Sequence, residues 1–201
     1  MRSIYDFIVE PVGKRYDNEK QVGDKTLIVN ASIESFKSVN NYAEVVATPL
    51  AYETGIKVGD IIVIHHNVFR RFYDMRGNQR DSRSMFIDGL YFVAPDQIYL
   101  YGNNKNWKSF NDRCFVVPIK NKDSFSLEKE QELIGILKYG NSSLQALGIN
   151  PGDLIGYTPG SEFEFVVDDK KLYCMKSNDI VIKYEYQGDE EEYNPSWSKS
   201  S

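Results

Sequence analysis

The feature that most constrains the fold is an internal repeat, because a repeat requires both halves of a chain to form the same supersecondary unit. Three short segments recur along the chain in the same order. They are Gly55–Ile62 with Gly148–Ile155, Phe7–Val12 with Cys114–Ile119, and Leu90–Ile98 with Leu172–Ile180. The shifts are 93, 107 and 82 residues respectively. The sequence therefore predicts two related modules in tandem.

The differences between the shifts locate extra segments in the first module. The first copy has 14 more residues before its Gly-Asp turn and 11 more after it. We expect a module at residues 1–105 with a long mobile loop at 13–42 and an added basic and aromatic hairpin at 68–86. A second module, at 106–187, lacks that loop. Residues 188–201 are acidic and then Ser-rich, which is typical of a disordered tail.

The apolar runs indicate an all-β class. Most are one strand long and are separated by Gly, Pro, Asn or Asp, which is typical of strands joined by turns. Aromatic residues make up 13% of the chain and favour β structure. The best helical candidate is Ser126–Leu137, which offers one or two turns.

Composition narrows the class of protein. The chain has 24 basic and 29 acidic residues, and this net charge of −5 argues against a dedicated nucleic-acid protein. Its two cysteines, Cys114 and Cys174, are too few for a disulfide scaffold and suit a reducing cytosol, so we expect a cytoplasmic protein. No apolar run approaches the ~20 residues that a membrane-spanning helix needs.

Motifs of catalysis and metal binding are missing from the sequence. It has no Gly-rich phosphate loop and no G-x-S-x-G motif. Its two histidines, His65 and His66, are adjacent, and successive side chains of a strand point to opposite faces. We therefore predict no catalytic residues, no metal site, no cofactor and no enzymatic activity.

The order of these motifs resembles the small co-chaperonins of the GroES type, and it does so twice. In that family a short strand leads into a long mobile loop, and a V-G-D turn, a hairpin and a D-I-L-type ending follow. The first copy offers Phe7–Val12, Ala43–Ala47, Lys57–Val63, Leu90–Val93 and Gln97-Ile98. The second offers Cys114–Ile119, Gly135–Leu137, Pro151–Ile155, Leu172–Met175 and Asn178–Ile182. The resemblance implies two GroES-like, partly open β-barrels in tandem.

The resemblance also implies a partner and its anchor residues. The family's loop binds a large chaperonin ring through an aliphatic tripeptide, which corresponds here to Leu27, Ile28 and Val29. The alternative is that these residues form a buried strand of the first barrel. The implied function is a co-chaperonin that caps the nucleotide-bound ring and assists protein folding, and we expect a homo-oligomer, a heptamer that matches a sevenfold ring. The family's roof hairpin is missing, because Ala47–Gly55 is only a short connection.

A second class of function stays open. The chain is alternatively a structural or assembly protein, for example of a virus, that uses GroES-like barrels as an interaction scaffold. Phe69, Arg70, Arg71, Phe72 and Tyr73 are expected to contact neighbouring subunits or line the enclosed cavity. Basic residues interleaved with aromatic ones also suit nucleic acid, and a plain solvated loop is the third possibility.

Overall fold

The computed structural model describes residues 2–16, 19–22, 25–28, 39–103, 106–123, 127, 129–185 and 188–200. The chain divides into two compact units, Met1–Asn106 and Trp107–Ser201. Strands dominate, and the only α-helix in these residues is the short helix α1, Ser142–Ala146. The predicted all-β class is confirmed.

The first unit consists of one main sheet and two separate hairpins. Its strands are β1 (Phe7–Pro11), β2 (Glu19–Val22), β3 (Lys25–Ile28), β4 (Tyr42–Ala47), β5 (Ile61–Ile64), β6 (Arg71–Tyr73), β7 (Gln79–Asp81), β8 (Met85–Ile87), β9 (Leu90–Val93) and β10 (Ile98–Asn103). Six of them lie side by side in the order β10, β5, β4, β1, β9, β8. The other four form the hairpins β2–β3 and β6–β7, each a two-stranded sheet of its own.

The second unit has one six-stranded sheet. Strand β11 (Asn106–Ser109) contains the boundary between the units. The sheet strands are β12 (Arg113–Lys120), β13 (Glu130–Tyr139), β14 (Leu154–Tyr157), β15 (Phe163–Val167), β16 (Lys170–Lys176) and β17 (Ile180–Tyr184). Their order is β17, β14, β13, β12, β16, β15. In the described residues of either unit, no pairing closes the row of strands into a barrel.

The repeat seen in the sequence reappears in the strand register. In the first unit Phe7 faces Val93 across β1 and β9. In the second, Cys114 faces Met175 across β12 and β16, and these residues lie 107 and 82 positions further along the chain. The pairing of β5 with β10 recurs in β14 with β17, including an irregularity at the same place. The two units therefore share strand order and register.

The Gly-Asp turn before β5 shows why those two residues recur. The Asp60 carboxylate accepts a hydrogen bond from the Lys57 backbone N–H at 2.8 Å, which closes the turn. Gly59 has a φ of +86°, a conformation that residues with a Cβ rarely adopt. The second unit repeats the arrangement, with Asp153 accepting from Asn150 at 2.7 Å. The motif shapes the backbone in both units.

The core of each unit lies on the central strands. In the first unit Phe7, Ile62 and Leu100 are fully buried. In the second, Cys114 and Cys174 are buried free thiols. Burial raises the pKa of Cys174 to about 11, so this thiol stays protonated at neutral pH.

One local prediction is wrong. Ser126–Leu137 was the best helical candidate, but β13 occupies Glu130–Tyr139. This strand pairs with both β12 and β14. Long-range pairing outweighs local helix propensity here.

The tail that the sequence predicts to be disordered makes contacts with the second unit. Glu192 bridges to Ile119, and the backbone N–H of Tyr193 donates to the Pro118 carbonyl at 2.8 Å. The acidic run lies among lysines, with Asp189 2.8 Å from Lys122. These ion pairs place lysines beside part of the acidic run. The tail is therefore part of the second unit.

The Asn194 side chain bonds the tail to strand β16, and replacing this residue should destabilise the second unit. Its side chain accepts from the Lys171 backbone N–H at 3.0 Å and from the Ser198 hydroxyl at 2.8 Å. We expect Asn194→Ala to lower the free energy of unfolding by about 1–3 kcal/mol, because it leaves a polar group without its partner. Urea unfolding followed by tryptophan fluorescence monitors this unit, since the two tryptophans of the chain, Trp107 and Trp197, are assigned to it.

Asn178→Ala is the matched control for this prediction, because Asn178 is exposed in the same unit. Its unfolding midpoint should stay at the wild-type value. Equal midpoints for both variants and the wild type would show that the tail contributes nothing to stability.

Candidate partner-binding site

The hairpin β2–β3 carries two of the three predicted anchors. Leu27 pairs with Lys20 and Ile28 pairs with Glu19 in the register of the hairpin. Val29 lies outside the described residues. The hairpin is a two-stranded sheet of its own and not part of the main sheet. In the alternative interpretation these residues would form a strand of the barrel.

A closed neck marks where the chain leaves the first unit and returns to it. Tyr16 and Val39 form an antiparallel bridge, and both are buried. The backbone N–H of Asn40 donates to the Arg15 carbonyl at 3.0 Å. The Asn40 side chain adds bonds to the carbonyls of Val12 at 2.8 Å and Lys14 at 2.9 Å. Everything between Tyr16 and Val39 is thus an insertion on a fixed base.

The hairpin β6–β7 belongs to the second extra segment of the first unit. Asp74 builds its turn by accepting from the backbone N–H groups of Arg76 and Asn78, each at 2.9 Å. Arg80 donates to the same carboxylate at 3.1 Å. These hydrogen bonds, that from Asn78 above all, lower the pKa of Asp74 below its ordinary value. The turn is therefore held by a charged group at neutral pH.

Arg15 and Tyr16 join the two insertions at their bases. The Arg15 guanidinium donates to the carbonyls of Phe69 and Arg70 and forms an ion pair with Asp81. The Tyr16 hydroxyl accepts from the backbone N–H of Arg71 at 2.6 Å. We name this contact set the clamp: Arg15, Tyr16 and Asp81 with the backbone of residues 69–71.

Tyr91 of β9 supports the clamp from the main sheet. The Arg15 guanidinium carbon lies 5.2 Å from the centre of the Tyr91 ring, within the range of a cation–π contact. The Phe69 ring packs edge-on against the same tyrosine at 4.8 Å. The Arg15 side chain is only 11% exposed, so these contacts are largely shielded from water.

The five residues predicted to make subunit or cavity contacts divide into two groups. Phe69 is fully buried against Tyr91 and belongs to the core of the unit, so it cannot offer an external contact. Arg70 and Arg71 are partly buried near the clamp. Phe72 and Tyr73 are exposed, at 41% and 53%.

Sequence reasoning missed the clamp and one exposed residue. Arg15 and Asp81 lie 66 positions apart, so no local spacing connects them. The usable signal was their position, since each lies at an end of an insertion that the second module lacks. Met75, at the tip of the second hairpin, is fully exposed and was not predicted as a contact residue.

The two histidines lie where the second extra segment begins. Their rings stack with centres 4.3 Å apart, and the backbone N–H of Asn67 donates to His65 Nδ1 at 3.1 Å. Burial, with the nearby His65 and Arg70, lowers the pKa of His66 to about 4. His66 is therefore neutral at physiological pH.

Comparison with known proteins adds no relative. A scan against protein-family models finds no match, and a search of the curated proteins finds none either. Across the described residues, no three His, Cys, Asp or Glu side chains are grouped in a way that could hold a metal ion. Within the same residues no helix has the length and apolar character to cross a membrane. The site's geometry and the sequence pattern therefore carry the functional argument.

Removing Arg15 should loosen both insertions without affecting the second unit. We expect Arg15→Ala to increase amide hydrogen exchange in peptides covering residues 12–16 and 68–82 by roughly 10- to 100-fold, because a partly buried ion pair and two carbonyl contacts are lost. Mass spectrometry of the exchanged peptides measures this. Lys57→Ala, on an exposed turn of the same unit, should leave exchange unchanged. Unchanged exchange in Arg15→Ala would mean that the clamp holds nothing.

The lowered pKa of His66 predicts a loss of stability in acid. The folded-state pKa is about 4 and the ordinary value is 6.5, so between these pH values the unfolded chain binds the extra proton. Stability from this residue is complete above about pH 6.5 and falls as the pH approaches 4. Calorimetric melting at pH 7 and pH 4.5 should give a smaller drop for His66→Gln than for the wild type. Asn67→Gln, next to it, should behave as the wild type; an equal drop in all three proteins would contradict the assignment.

Proposed function

We propose that this protein is a co-chaperonin, built from two GroES-like, partly open barrels, that caps an ATP-driven chaperonin ring and assists protein folding. The observation that carries the proposal is the β2–β3 hairpin on its closed neck. It holds Leu27 and Ile28 in a small sheet outside the main sheet of the first unit. The second unit repeats the strand order and register and has no such hairpin in its described residues.

Binding energetics support an aliphatic anchor of this kind. Leu27, Ile28 and Val29 follow one another in a segment that is otherwise largely polar. Burial in an apolar groove of a partner contributes about 1.5–3 kcal/mol for each large aliphatic side chain. Pairing into a hairpin reduces the entropy lost when the segment binds. A short aliphatic segment can therefore bind with useful but modest affinity.

Several modest contacts that act together give a high overall affinity. One hairpin per chain gives a heptamer seven anchors, matching a sevenfold ring. Linked contacts act at a high effective concentration, so several weak ones hold together what one alone would release. A slight weakening of each contact then releases the cap from the ring, as a cycle of binding and release driven by ATP requires. No chemical step by the chain itself is required, so we propose no enzymatic activity, no cofactor and no bound nucleotide.

The proposal predicts nucleotide-dependent binding to a ring. On a sizing column with ATP, the wild type should co-elute with a purified chaperonin ring, and without nucleotide it should elute alone. Leu27→Asp with Ile28→Asp should abolish co-elution, because charged side chains cannot enter an apolar groove without a large desolvation cost.

A control double variant places the same change on exposed leucines elsewhere. Leu50 and Leu147 are 59% and 76% exposed, so Leu50→Asp with Leu147→Asp should bind as the wild type does. A folded wild-type protein that never joins the ring would favour the structural or assembly function instead.

A further inference from the structure

The hairpin β6–β7 presents exposed apolar side chains. Phe72, Tyr73 and Met75 are 41%, 53% and 106% exposed, while the Asp74 turn fixes the backbone between and beyond them. The second unit keeps the strand order and register of the first without any hairpin at this place in its described residues. An ordered, exposed cluster of two aromatics and a methionine is the composition of a protein-binding surface.

The charge of the segment indicates the kind of surface it fits. Residues 68–86 contain five arginines and two aspartates, in a chain whose net charge is −5. Arg80 and Arg71 are already near Asp74 and Asp81 respectively. Arg76 and Arg83 are exposed, and neither forms an ion pair with a described residue. The hairpin therefore presents unneutralised positive charge beside its apolar side chains.

The clamp places this surface next to the first insertion. Arg15 and Tyr16 lie directly before the segment that contains β2–β3. They bind the backbone of residues 69–71 and the Asp81 carboxylate, which are the two ends of the hairpin β6–β7. The bases of the two insertions are therefore within hydrogen-bonding distance of each other.

We infer that the hairpin β6–β7 is a second contact with the chaperonin ring. It docks on an apolar patch bordered by carboxylates of the subunit that binds β2–β3. The inference rests on the proposed function and names a further binding surface for it. Exposed arginines speed and orient the encounter, and the apolar side chains add contact area once the charges are matched.

The test measures ring affinity and its dependence on salt. Arg76→Glu with Arg83→Glu should weaken ATP-dependent binding at least about tenfold at low salt, because attraction to carboxylates becomes repulsion. Its affinity should also fall less steeply as salt rises, since fewer attractive charge pairs remain to be screened. Arg2→Glu with Lys57→Glu makes the same change in charge at exposed residues of the same unit and should stay within about twofold of the wild type.

A second variant tests the apolar part. Tyr73→Ser with Met75→Ser keeps every charge and the Asp74 turn, and it should weaken binding at all salt concentrations. Circular dichroism and the thermal midpoint check that each variant is folded as the wild type is. Both residues are exposed, so neither measure should change.

The outcomes separate this inference from the proposed function. If the wild type does not bind the ring, the proposed function fails and this inference fails with it. If the wild type binds and Leu27→Asp with Ile28→Asp abolishes binding, but the hairpin variants bind normally, only this inference is overturned. Two other results overturn it as well. One is a change in the protein's own oligomeric mass, measured by light scattering, with ring affinity kept. The other is retention of a DNA duplex that Arg76→Glu with Arg83→Glu abolishes.

Discussion

The pairing of each unit's first strand with two later strands is the constraint on which the rest of the structure depends. Strand β1 lies between β4 and β9, so its partners come from positions far along the chain. Any segment between them must leave the sheet and return in a fixed register, because a slip of one residue would turn every side chain to the other face. Insertions are tolerated only where their ends are brought together, as at the Tyr16–Val39 bridge.

In both units a cationic side chain lies beside the tyrosine at the same repeat position, but it comes from a sheet strand in one unit and from an insertion in the other. In the second unit Lys171 lies 4.8 Å from the Tyr173 ring and 2.6 Å from Glu130, all within the sheet strands. In the first unit the cation over Tyr91 is Arg15, from the neck of one insertion. Its carboxylate partner comes from the other insertion. The insertions thus complete the packing of the first unit, and removing one would expose polar groups of the other.

The sequence predicts the repeated segments but not the contacts between residues that are far apart along the chain. Shifts of 107 and 82 residues, read from short apolar runs, reappear in the pairing of Cys114 with Met175. The Gly-Asp turn was readable because its hydrogen bonds are local and need those residue types. The clamp was not predictable, since Arg15 and Asp81 are 66 positions apart in the sequence. The contacts of the tail were not predictable for the same reason: its acidic run pairs with Lys122 and Lys170, which lie far from it in the sequence.

Under the proposed function, the absence of insertions from the described second unit has an energetic rationale. A cap must bind firmly with ATP and release later, so each contact has to stay weak. Because contacts multiply across a ring, a tenfold change in overall affinity, about 1.4 kcal/mol, corresponds to only about 0.2 kcal/mol at each of seven sites. Small surfaces such as the β6–β7 hairpin are therefore sufficient to change the overall affinity for the ring. A second set of hairpins on the other unit would raise the affinity beyond what a small change at each contact could reverse.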